Sequence, residues 1–293
     1  MTTTAHMTIA HTVHDLRTRV MQWKRDGLRV GMVPTMGALH DGHLSLVRAA
    51  RAACDRVVVS IFVNPTQFDD ASDLAAYPRT VEADAALLRT AGVDVLYAPD
   101  AAQMYPPGFA TTISVRGVSE GLCGGARPGH FDGVATVVCK LLMQALADRA
   151  FFGEKDFQQV HVVRRMVTDL NLPVKIVTCP TRREEDGLAM SSRNRRLSPD
   201  ARTRARALPQ VLAHCAERIA AGHDVADALR QAHAALLSAG FASVDYLELR
   251  DARDLAPMTQ TPTTPARLLA AAWLDSVRLI DGVDVTVDIQ ETV

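Results

Sequence analysis

Short apolar runs alternate with amphipathic segments through the first 180 residues of the chain. The runs are LRVGMVPT, RVVVSIFV, VDVLYAP, RAFF and VKIVTC, and apolar residues at helical spacing fill the segments between them, such as HLSLVRAARAAC. Each run has the length of a buried strand, and strands that alternate with helices are typical of βαβ units. The pattern therefore predicts an α/β domain in which helices cover a parallel sheet.

The pattern changes after Pro180. The charged stretch TRREEDGLAMSSRNRRLSPDARTR contains no run of buried-strand character and predicts an exposed connection. We therefore predict one domain over 1–180 and a second over 181–293. In the second, the spacing predicts helices over 199–221 and 225–238, and the runs VDYLELR, ARLLAAAWL, VRLID and VDVTVDI predict strands. These elements indicate a smaller C-terminal α+β domain.

Composition and charge narrow the class of protein. The 293 residues are 48% hydrophobic, which is enough to bury a sizeable core. Because 32 Lys and Arg nearly balance 33 Asp and Glu, the formal charge of −1 offers no overall field for nucleic acid or an anionic membrane. Five cysteines without Cys-x-x-Cys spacing argue against a disulfide framework and a zinc knuckle. We expect a cytoplasmic protein with no nucleic-acid partner and no membrane segment.

Polar clusters follow three of the predicted strands, and a fourth lies in the charged connection. MGALHDGH (36–43) follows the first strand, NPTQF (64–68) the second and GEKDFQQ (153–159) the strand RAFF, while MSSRN (190–194) lies in the connection. In an open parallel sheet, ligands bind outside the carboxyl ends of the strands. The positions of these clusters therefore predict a ligand site at that edge.

The cluster MGALHDGH has the features of an anion site. Gly37 permits an unusual turn, Gly42 allows a ligand close to the backbone, and apolar spacing predicts a helix from about His43. Backbone N–H groups at a helix start, together with imidazole donors from His40 and His43, suit phosphate oxygens. Two alternatives stay open: the histidines bind a metal, for which no third ligand is identifiable, or they only cap the helix.

Two further clusters contain cations and hydroxyls that suit a nucleotide. Lys155 is a compact cation that can neutralise a phosphate, and Asp156 can cap a helix or accept a hydrogen bond from a ribose. Ser191, Ser192 and Arg193 provide hydroxyls and a forked cation that suit a triphosphate. The alternative is that both clusters are solvated loops without a ligand.

Neutral amides indicate a small polar substrate. The side chains of Gln67 and Gln159 can hydrogen-bond hydroxyl and carboxylate groups, although an isolated glutamine is more often a surface residue. The glycine-rich stretch 121–138 lacks the phosphate-loop motif, and no G-x-G-x-x-G follows the first strand. Within that stretch, Arg127 and His130 face either a ligand or a folded loop.

The motifs PTMGALHDGHLSL, SIFVNPTQF, AYPRT, RPGHFDGVATVV, FFGEKDFQQ and DGLAMSSRN occur in this order between about residues 30 and 200. In composition and order they resemble the motifs of the pantothenate synthetase (pantoate–β-alanine ligase) family. The resemblance implies a Rossmann-like nucleotidyltransferase domain related to class I aminoacyl-tRNA synthetases, in which HDGH corresponds to the HIGH signature and MSSR to KMSKS. It also implies that the C-terminal domain acts as a lid and that the protein is a homodimer.

By the same resemblance, the protein condenses pantoate with β-alanine at the expense of ATP, through a pantoyl-adenylate, with release of pyrophosphate and AMP. Mg²⁺ would accompany the phosphates, with Glu82 and Asp84 as candidate ligands. The implied product is pantothenate, an intermediate on the way to coenzyme A.

The resemblance also implies roles for single residues. The expected ATP contacts are Met36, Gly37, Ala38, Leu39, His40, Asp41, Gly42, His43, Gly153, Glu154, Lys155, Asp156, Arg182, Met190, Ser191, Ser192 and Arg193. Among these, His40, His43, Lys155 and Arg193 would stabilise charge in the reaction, and His43 is the residue that the family treats as proton donor. Gln67 and Gln159 would bind pantoate with help from Asn64, and Gln67 would also lie near β-alanine. Arg182 occupies a position where we expect a small apolar residue that contacts ATP through its backbone.

Two other functions remain compatible with the residues. The same fold supports nucleotidylyl transfer onto a phosphate or nucleotide acceptor, but no second basic cluster is available for an acceptor phosphate. A nucleotide-sensing module would bind ATP without turnover.

Overall fold

The computed structural model describes residues 7–68 and 71–286, which form two units. The first unit comprises the chain up to Ser119, Arg127–Glu154 and Gln159–Thr181. The second comprises Glu120–Ala126, Lys155–Gln158 and the chain from Arg182 onwards. The segments 120–126 and 155–158, which lie within the first domain predicted from sequence, therefore pack with the second unit.

A six-stranded parallel sheet forms the centre of the first unit, as the sequence predicts. Its strands are β1 (Thr8–Ala10), β2 (Val30–Thr35), β3 (Arg56–Ile61), β4 (Val95–Tyr97), β5 (Arg149–Gly153) and β6 (Lys175–Cys179), in the order β1-β4-β3-β2-β5-β6. Parallel strands covered on both faces are continuously apolar, which is why β2 to β6 were recognisable in the sequence. Strand β1 was not predicted, since it has three residues and pairs only with β4.

Helices of the first unit cover the sheet. They are α1 (Val13–Arg25), α2 (Asp41–Ala53), α3 (Ala71–Ala76), α4 (Val81–Thr90), α5 (Ala101–Met104), α7 (His130–Ala145) and most of α8 (Phe157–Asp169); α6 (Leu122–Ala126) belongs to the second unit. Short 3₁₀ helices at Pro65–Gln67 and Glu154–Asp156 follow β3 and β5. Leu46, Val47 and Ala50 on α2 are buried at helical spacing in the same apolar cluster as Val33 on β2.

The second unit is an α+β fold, in agreement with the prediction. Its antiparallel sheet consists of β7 (Ser243–Asp251), β8 (Ala266–Leu274) and β9 (Val277–Val285), with β8 in the centre. The prediction that VRLID and VDVTVDI are two separate strands is wrong. They belong to one strand, because β9 pairs with β8 without interruption from Val277 to Val285. Residues 287–289 of the second run lie outside the described residues.

Helices α9 (Pro199–Arg204), α10 (Ala207–Ala220) and α11 (Val225–Ser238) complete the second unit. Helix α11 has the predicted bounds, but the single helix predicted over 199–221 is wrong. The reason is Pro209, which has no N–H to donate to the carbonyl of Ala205. That carbonyl instead accepts from the Leu208 N–H at 3.1 Å, and the helical ladder is interrupted there.

The charged connection is more ordered than the exposed loop predicted from its sequence. Arg183 and Ala189 form an antiparallel bridge, and a 3₁₀ helix runs from Ser192 to Arg196. Leu188 is 2% exposed and belongs to the apolar core of the second unit. Ala201 belongs to the same core and Leu197 packs against it, so isolated apolar residues tie a mostly polar segment to the core, and a search for apolar runs does not detect them.

Candidate active site

The loop after β2 is held in a backbone conformation that few residues adopt. Gly37 has φ +83° and Ala38 has φ +51°. A Cβ on Gly37 would lie 3.0 Å from a methyl carbon of Ile61, so glycine is required both by conformation and by space. The tight turn directs the backbone N–H groups of Ala38 and Leu39 towards a single carboxylate.

That carboxylate belongs to Asp84 on α4, which is 2% exposed. One oxygen accepts from the Ala38 N–H at 2.8 Å and the other from the Leu39 N–H at 2.9 Å, and the Thr80 hydroxyl donates a third bond at 3.0 Å. Asp84, named from sequence as a candidate magnesium ligand, therefore acts as a brace for the loop. Glu82, the other candidate, is exposed on the same helix.

His40 and His43 are both partly buried at the start of α2, which begins at Asp41 rather than at His43. The Nδ1 atom of His40 accepts from the Gly42 N–H at 3.1 Å, and Nδ1 of His43 accepts from the His40 N–H at 3.4 Å. The two rings lie 4.1 Å apart between centroids, tilted by 43°. Both histidines therefore cap the helix, as one of the two alternatives predicted.

Capping does not compete with a catalytic role for these histidines. A neutral imidazole that accepts at Nδ1 carries its proton on Nε2. Both rings are thus hydrogen-bond donors at Nε2, beside the positive end of the helix dipole. Donors of this kind suit phosphate oxygens, and the same geometry disfavours a metal site that uses Nδ1.

Gln67 ends the 3₁₀ helix that follows β3, and its backbone carbonyl is held by two side chains from the glycine-rich stretch. His130 Nδ1 lies 2.8 Å from this oxygen, and Arg127 Nη2 donates to it at 3.1 Å. The sequence left the role of both residues open. In the structure they fix the backbone of a predicted substrate-binding residue.

The side chain of Gln67 connects two of the predicted clusters. Its Nε2 lies 2.9 Å from Sδ of Met36, and its Oε1 accepts from Asn64 Nδ2 at 3.1 Å. Asn64 is 1% exposed and accepts a hydrogen bond from the hydroxyl of Tyr105 at 2.7 Å. The structure therefore brings Met36 together with Asn64 and Gln67, which the sequence had placed on a different loop.

Strand order explains why these loops meet. Strands β3, β2 and β5 are neighbours in the parallel sheet, so their carboxyl ends lie along one edge. Residues 36–43 follow β2, Asn64 and Gln67 follow β3, and Glu154 follows β5. Gln159 lies in the first turn of α8, partly buried.

Apart from Gly153, the last residue of β5 in the first unit, the remaining predicted ATP contacts belong to the second unit. Lys155 and Asp156 are in the 3₁₀ helix before α8, and Arg182, Met190, Ser191, Ser192 and Arg193 lie in the ordered connection. The backbone carbonyl of Arg182 accepts from the Met190 N–H at 2.9 Å, whereas its side chain is exposed. The backbone of Arg182 therefore takes part in the hydrogen bonding of the connection, and its contact with ATP stays a prediction from the resemblance.

An ion-pair network supports the Met190–Arg193 region within the second unit. Arg202 donates to Asp186 at 2.6 Å and to Glu184 at 2.6 Å, and the hydrogen bond to Asp186 is the main cause of the raised pKa of the guanidinium. Glu184 accepts in turn from Asn194 at 2.8 Å. The segment on either side of Ser191 is thus held by one charged side chain of α9, Arg202, through two carboxylates of the connection.

The described residues contain no group of three or more His, Cys, Asp and Glu that could hold a metal ion. None of the helices within residues 7–68 and 71–286 has the length and apolarity needed to cross a bilayer.

Comparison with known proteins identifies the family of the chain. The family model described as pantoate-beta-alanine ligase matches residues 8–284. This chain belongs to the pantoate–β-alanine ligase family. A pantothenate synthetase from Chelativorans sp. (strain BNC1) is 62% identical over 277 residues, which are 94% of this chain and 97% of that protein.

Solved structures of the ligase family have the same fold. A pantothenate synthetase from Thermus thermophilus superposes with a TM-score of 0.89 at 47% identity, covering 95% of this chain and 99% of the other. A pantoate-beta-alanine ligase from Francisella tularensis was solved as a complex with beta-gamma ATP and beta-alanine. It superposes with a TM-score of 0.81 at 34% identity, covering 95% of this chain and 97% of the other. The predicted Rossmann-like α/β fold with a smaller α+β unit is therefore confirmed, and so is the predicted family.

Sequence reasoning named Asp84 only as a candidate magnesium ligand, without its contacts to the loop after β2, and it missed Tyr105 altogether. Asp84 and Tyr105 lie 45 and 41 positions from Leu39 and Asn64, the residues that they contact. Neither lies in a cluster that follows a strand, and only the folded chain brings them to the edge of the sheet.

Proposed function

We propose that the protein catalyses the ATP-dependent condensation of pantoate with β-alanine to pantothenate. The observation that carries the proposal is the contact between Gln67 and Met36, which places a substrate-type amide beside the loop that leads to His40 and His43. Donors for phosphate and a donor for a small hydroxy acid thus lie along one sheet edge in a chain of this ligase family.

In the first step, a carboxylate oxygen of pantoate attacks the α-phosphorus of ATP, and the bond to the pyrophosphate oxygen breaks. Negative charge grows on the phosphoryl oxygens and on the leaving pyrophosphate. Protons on Nε2 of His40 and His43 can stabilise this charge, and donors fixed in advance stabilise a transition state more than a ground state. The charge-stabilising roles of Lys155 and Arg193 stay predictions from the resemblance.

In the second step, the amine of β-alanine attacks the carbonyl carbon of the pantoyl-adenylate. The bond from that carbon to the AMP oxygen breaks, and the amine loses a proton as the amide forms. No nucleophilic side chain is needed in either step, because the pantoate carboxylate is itself the nucleophile in the first, and in the second it is already activated as an anhydride with phosphate. The protein contributes orientation and charge stabilisation.

We propose that Mg²⁺ binds together with the nucleotide. The described residues form no metal-binding cluster, and both carboxylate oxygens of Asp84 already accept hydrogen bonds. Mg²⁺ commonly keeps several waters and binds substrate phosphates instead of a protein cage. We therefore assign it to ATP, where it would neutralise phosphate charge.

The assay that tests the proposal follows AMP in the presence of ATP, Mg²⁺, pantoate and β-alanine. We expect AMP and pantothenate in equal amounts, with AMP formation dependent on both organic substrates. A nucleotidylyltransferase would instead require a phosphate acceptor, and a sensor would bind ATP and release no AMP. Either result would contradict the ligase.

The proposal extends to a homodimer in the cytoplasm, as the resemblance implies. Light scattering coupled to size exclusion tests the first point: about twice the mass of the 31.7 kDa chain supports a dimer, and a mass near 31.7 kDa contradicts it.

A further inference from the structure

Two backbone groups fix the orientation of the Asn64 amide. The Thr66 N–H donates to Oδ1 at 3.4 Å, and the carbonyl of Gly133 accepts from Nδ2 at 3.2 Å. A backbone N–H only donates and a carbonyl only accepts, so reversing the amide would lose both bonds. Helix α7 packs directly against the 3₁₀ helix Pro65–Gln67. The contact is so close that any side chain at Gly133 would collide with the Thr66 carbonyl.

The side chain of Asn64 is fully used within the protein. Its amide nitrogen has two protons, one donated to the Gly133 carbonyl and the other to Gln67 Oε1 at 3.1 Å. Its oxygen also accepts from the hydroxyls of Tyr105, at 2.7 Å, and Thr66, at 3.0 Å. At 1% exposure, Asn64 acts on a substrate through Gln67 rather than by direct contact.

The Gln67 side-chain amide therefore has a fixed orientation, with its oxygen and its nitrogen in defined positions. Since Oε1 is committed to Asn64, the group that Gln67 presents is Nε2, a hydrogen-bond donor. The described partner of Nε2 is the thioether sulfur of Met36, at 2.9 Å, and a thioether is a weak acceptor. A carboxylate or hydroxyl oxygen of a small hydroxy acid would be a much better one.

Tyr105 begins this series of hydrogen bonds. Its hydroxyl proton can go only to an acceptor, and the Asn64 oxygen is the nearest one at 2.7 Å. The ring packs edge-on against Phe109, with 5.1 Å between centroids, and near Phe62 at 6.2 Å. A tyrosine hydroxyl is protonated at neutral pH, and burial raises the pKa of Tyr105 further above its ordinary value, so the hydroxyl is a donor.

We propose that Tyr105 is a positioning residue for pantoate: its hydroxyl adds the shortest of the hydrogen bonds that hold the Asn64 amide, and Asn64 in turn holds the Gln67 amide with the NH₂ group towards the substrate. This inference rests on the proposed function, in which Gln67 binds pantoate. It predicts an effect on pantoate that spares ATP, because Asn64 and Gln67 follow β3 whereas the expected phosphate donors follow β2.

The first test is Tyr105→Phe, which keeps the ring contacts and removes the donor. We expect the KM for pantoate to rise roughly three- to tenfold, as for the loss of one neutral hydrogen bond, with the KM for ATP unchanged. Tyr97→Phe is the matched control: Tyr97 is 0% exposed on β4, and its hydroxyl has no hydrogen-bond partner among the described residues. In that variant both KM values should stay at the wild-type level.

A double-mutant cycle with Gln67→Ala separates this inference from the proposed function. If Tyr105 acts through Gln67, Tyr105→Phe has no further effect on pantoate once Gln67 is alanine. An equal rise in both backgrounds would overturn the inference, and so would a lower melting temperature with an unchanged KM for pantoate. If Gln67→Ala alone leaves pantoate binding intact, it is the proposed role of Gln67 that fails.

Discussion

His40 and His43 each use one ring nitrogen to cap the start of α2, and this fixes the tautomer of each ring in its neutral form. Because Nδ1 accepts a backbone proton in both rings, the neutral rings carry their own protons on Nε2. The local sequence was enough to single out these two residues, since the motif contains both of them with the helix start. The sequence also left capping open as an alternative, but it could not show which ring nitrogen caps, because that depends on the helix beginning at Asp41.

Substitutions at His43 can separate the two ring nitrogens. Asparagine places an acceptor near the position of Nδ1, whereas glutamine extends a donor towards the position of Nε2. We expect His43→Asn to lower kcat by about 10²–10³ with little change in stability, because the donor acts on developing charge. His43→Gln should retain more of kcat and lose up to about 1 kcal/mol of stability with the cap.

Steady-state kinetics and thermal unfolding of the two His43 variants test this assignment. Near-normal kcat in His43→Asn would contradict a phosphate contact through Nε2. Equal loss of melting temperature in both variants would show that the cap depends on more than the acceptor at Nδ1.

At the level of elements, helix α4 braces the loop between β2 and α2 through Asp84. Asp84→Ala would leave the N–H groups of Ala38 and Leu39 without their acceptor in a buried site. We expect the free energy of unfolding to fall by about 2–4 kcal/mol and the KM for ATP to rise. Glu82→Ala, on the exposed side of the same helix, is the control and should change stability by less than about 0.5 kcal/mol.

The outcome for Asp84 also decides between a brace and a metal ligand. Denaturant unfolding without nucleotide measures the brace, and titration of activity with Mg²⁺ measures the ligand role. Unchanged stability together with a weaker response to Mg²⁺ would contradict the brace.

A second carboxylate holds the connection between β7 and β8 together. Asp251 is 5% exposed, and its hydrogen bonds to Arg253, with a smaller contribution from Thr264, hold its pKa below the usual 3.8. A carboxyl group whose pKa is lower in the folded than in the unfolded state stabilises the fold at pH values above the unfolded-state pKa. This stabilisation is lost as the pH falls towards the folded-state pKa. Asp251→Asn should therefore be less stable than wild type at pH 7, with the difference shrinking below pH 3.8.

Unfolding of wild type and Asp251→Asn across pH 2–7 tests this linkage. Thr264→Val, which removes one weaker partner of the same carboxylate, should show a smaller difference with the same pH dependence. A difference between wild type and Asp251→Asn that stays constant down to about pH 2 would contradict it.

The sequence correctly predicted the elements whose buried residues form a local apolar pattern, with strand or helical spacing. Strand β8 and helix α11 have the predicted bounds, because their apolar patterns begin and end where the elements do. The break before α10 was also encoded, in the missing N–H of Pro209, but the apolar spacing continues through it and hides the interruption. Asp84 and Tyr105 show the limit, because their roles depend on partners more than 40 positions away.

On the scale of the whole molecule, the chain covers nearly the full length of its relatives and shares their two-unit fold. The parallel sheet of the first unit brings the loops after β2, β3 and β5 to one edge, where histidine donors and a glutamine amide of fixed polarity lie. This arrangement supports activation of a carboxylate by ATP before any amine takes part.

The most direct measurement of this claim is isotope exchange between pyrophosphate and ATP. With Mg²⁺ and pantoate present and β-alanine absent, the adenylate forms and reverses, so labelled pyrophosphate should enter ATP. Exchange should vanish without pantoate and fall in Gln67→Ala unless pantoate is raised. Exchange that requires β-alanine, or that proceeds without pantoate, would contradict a pantoyl-adenylate formed at this site.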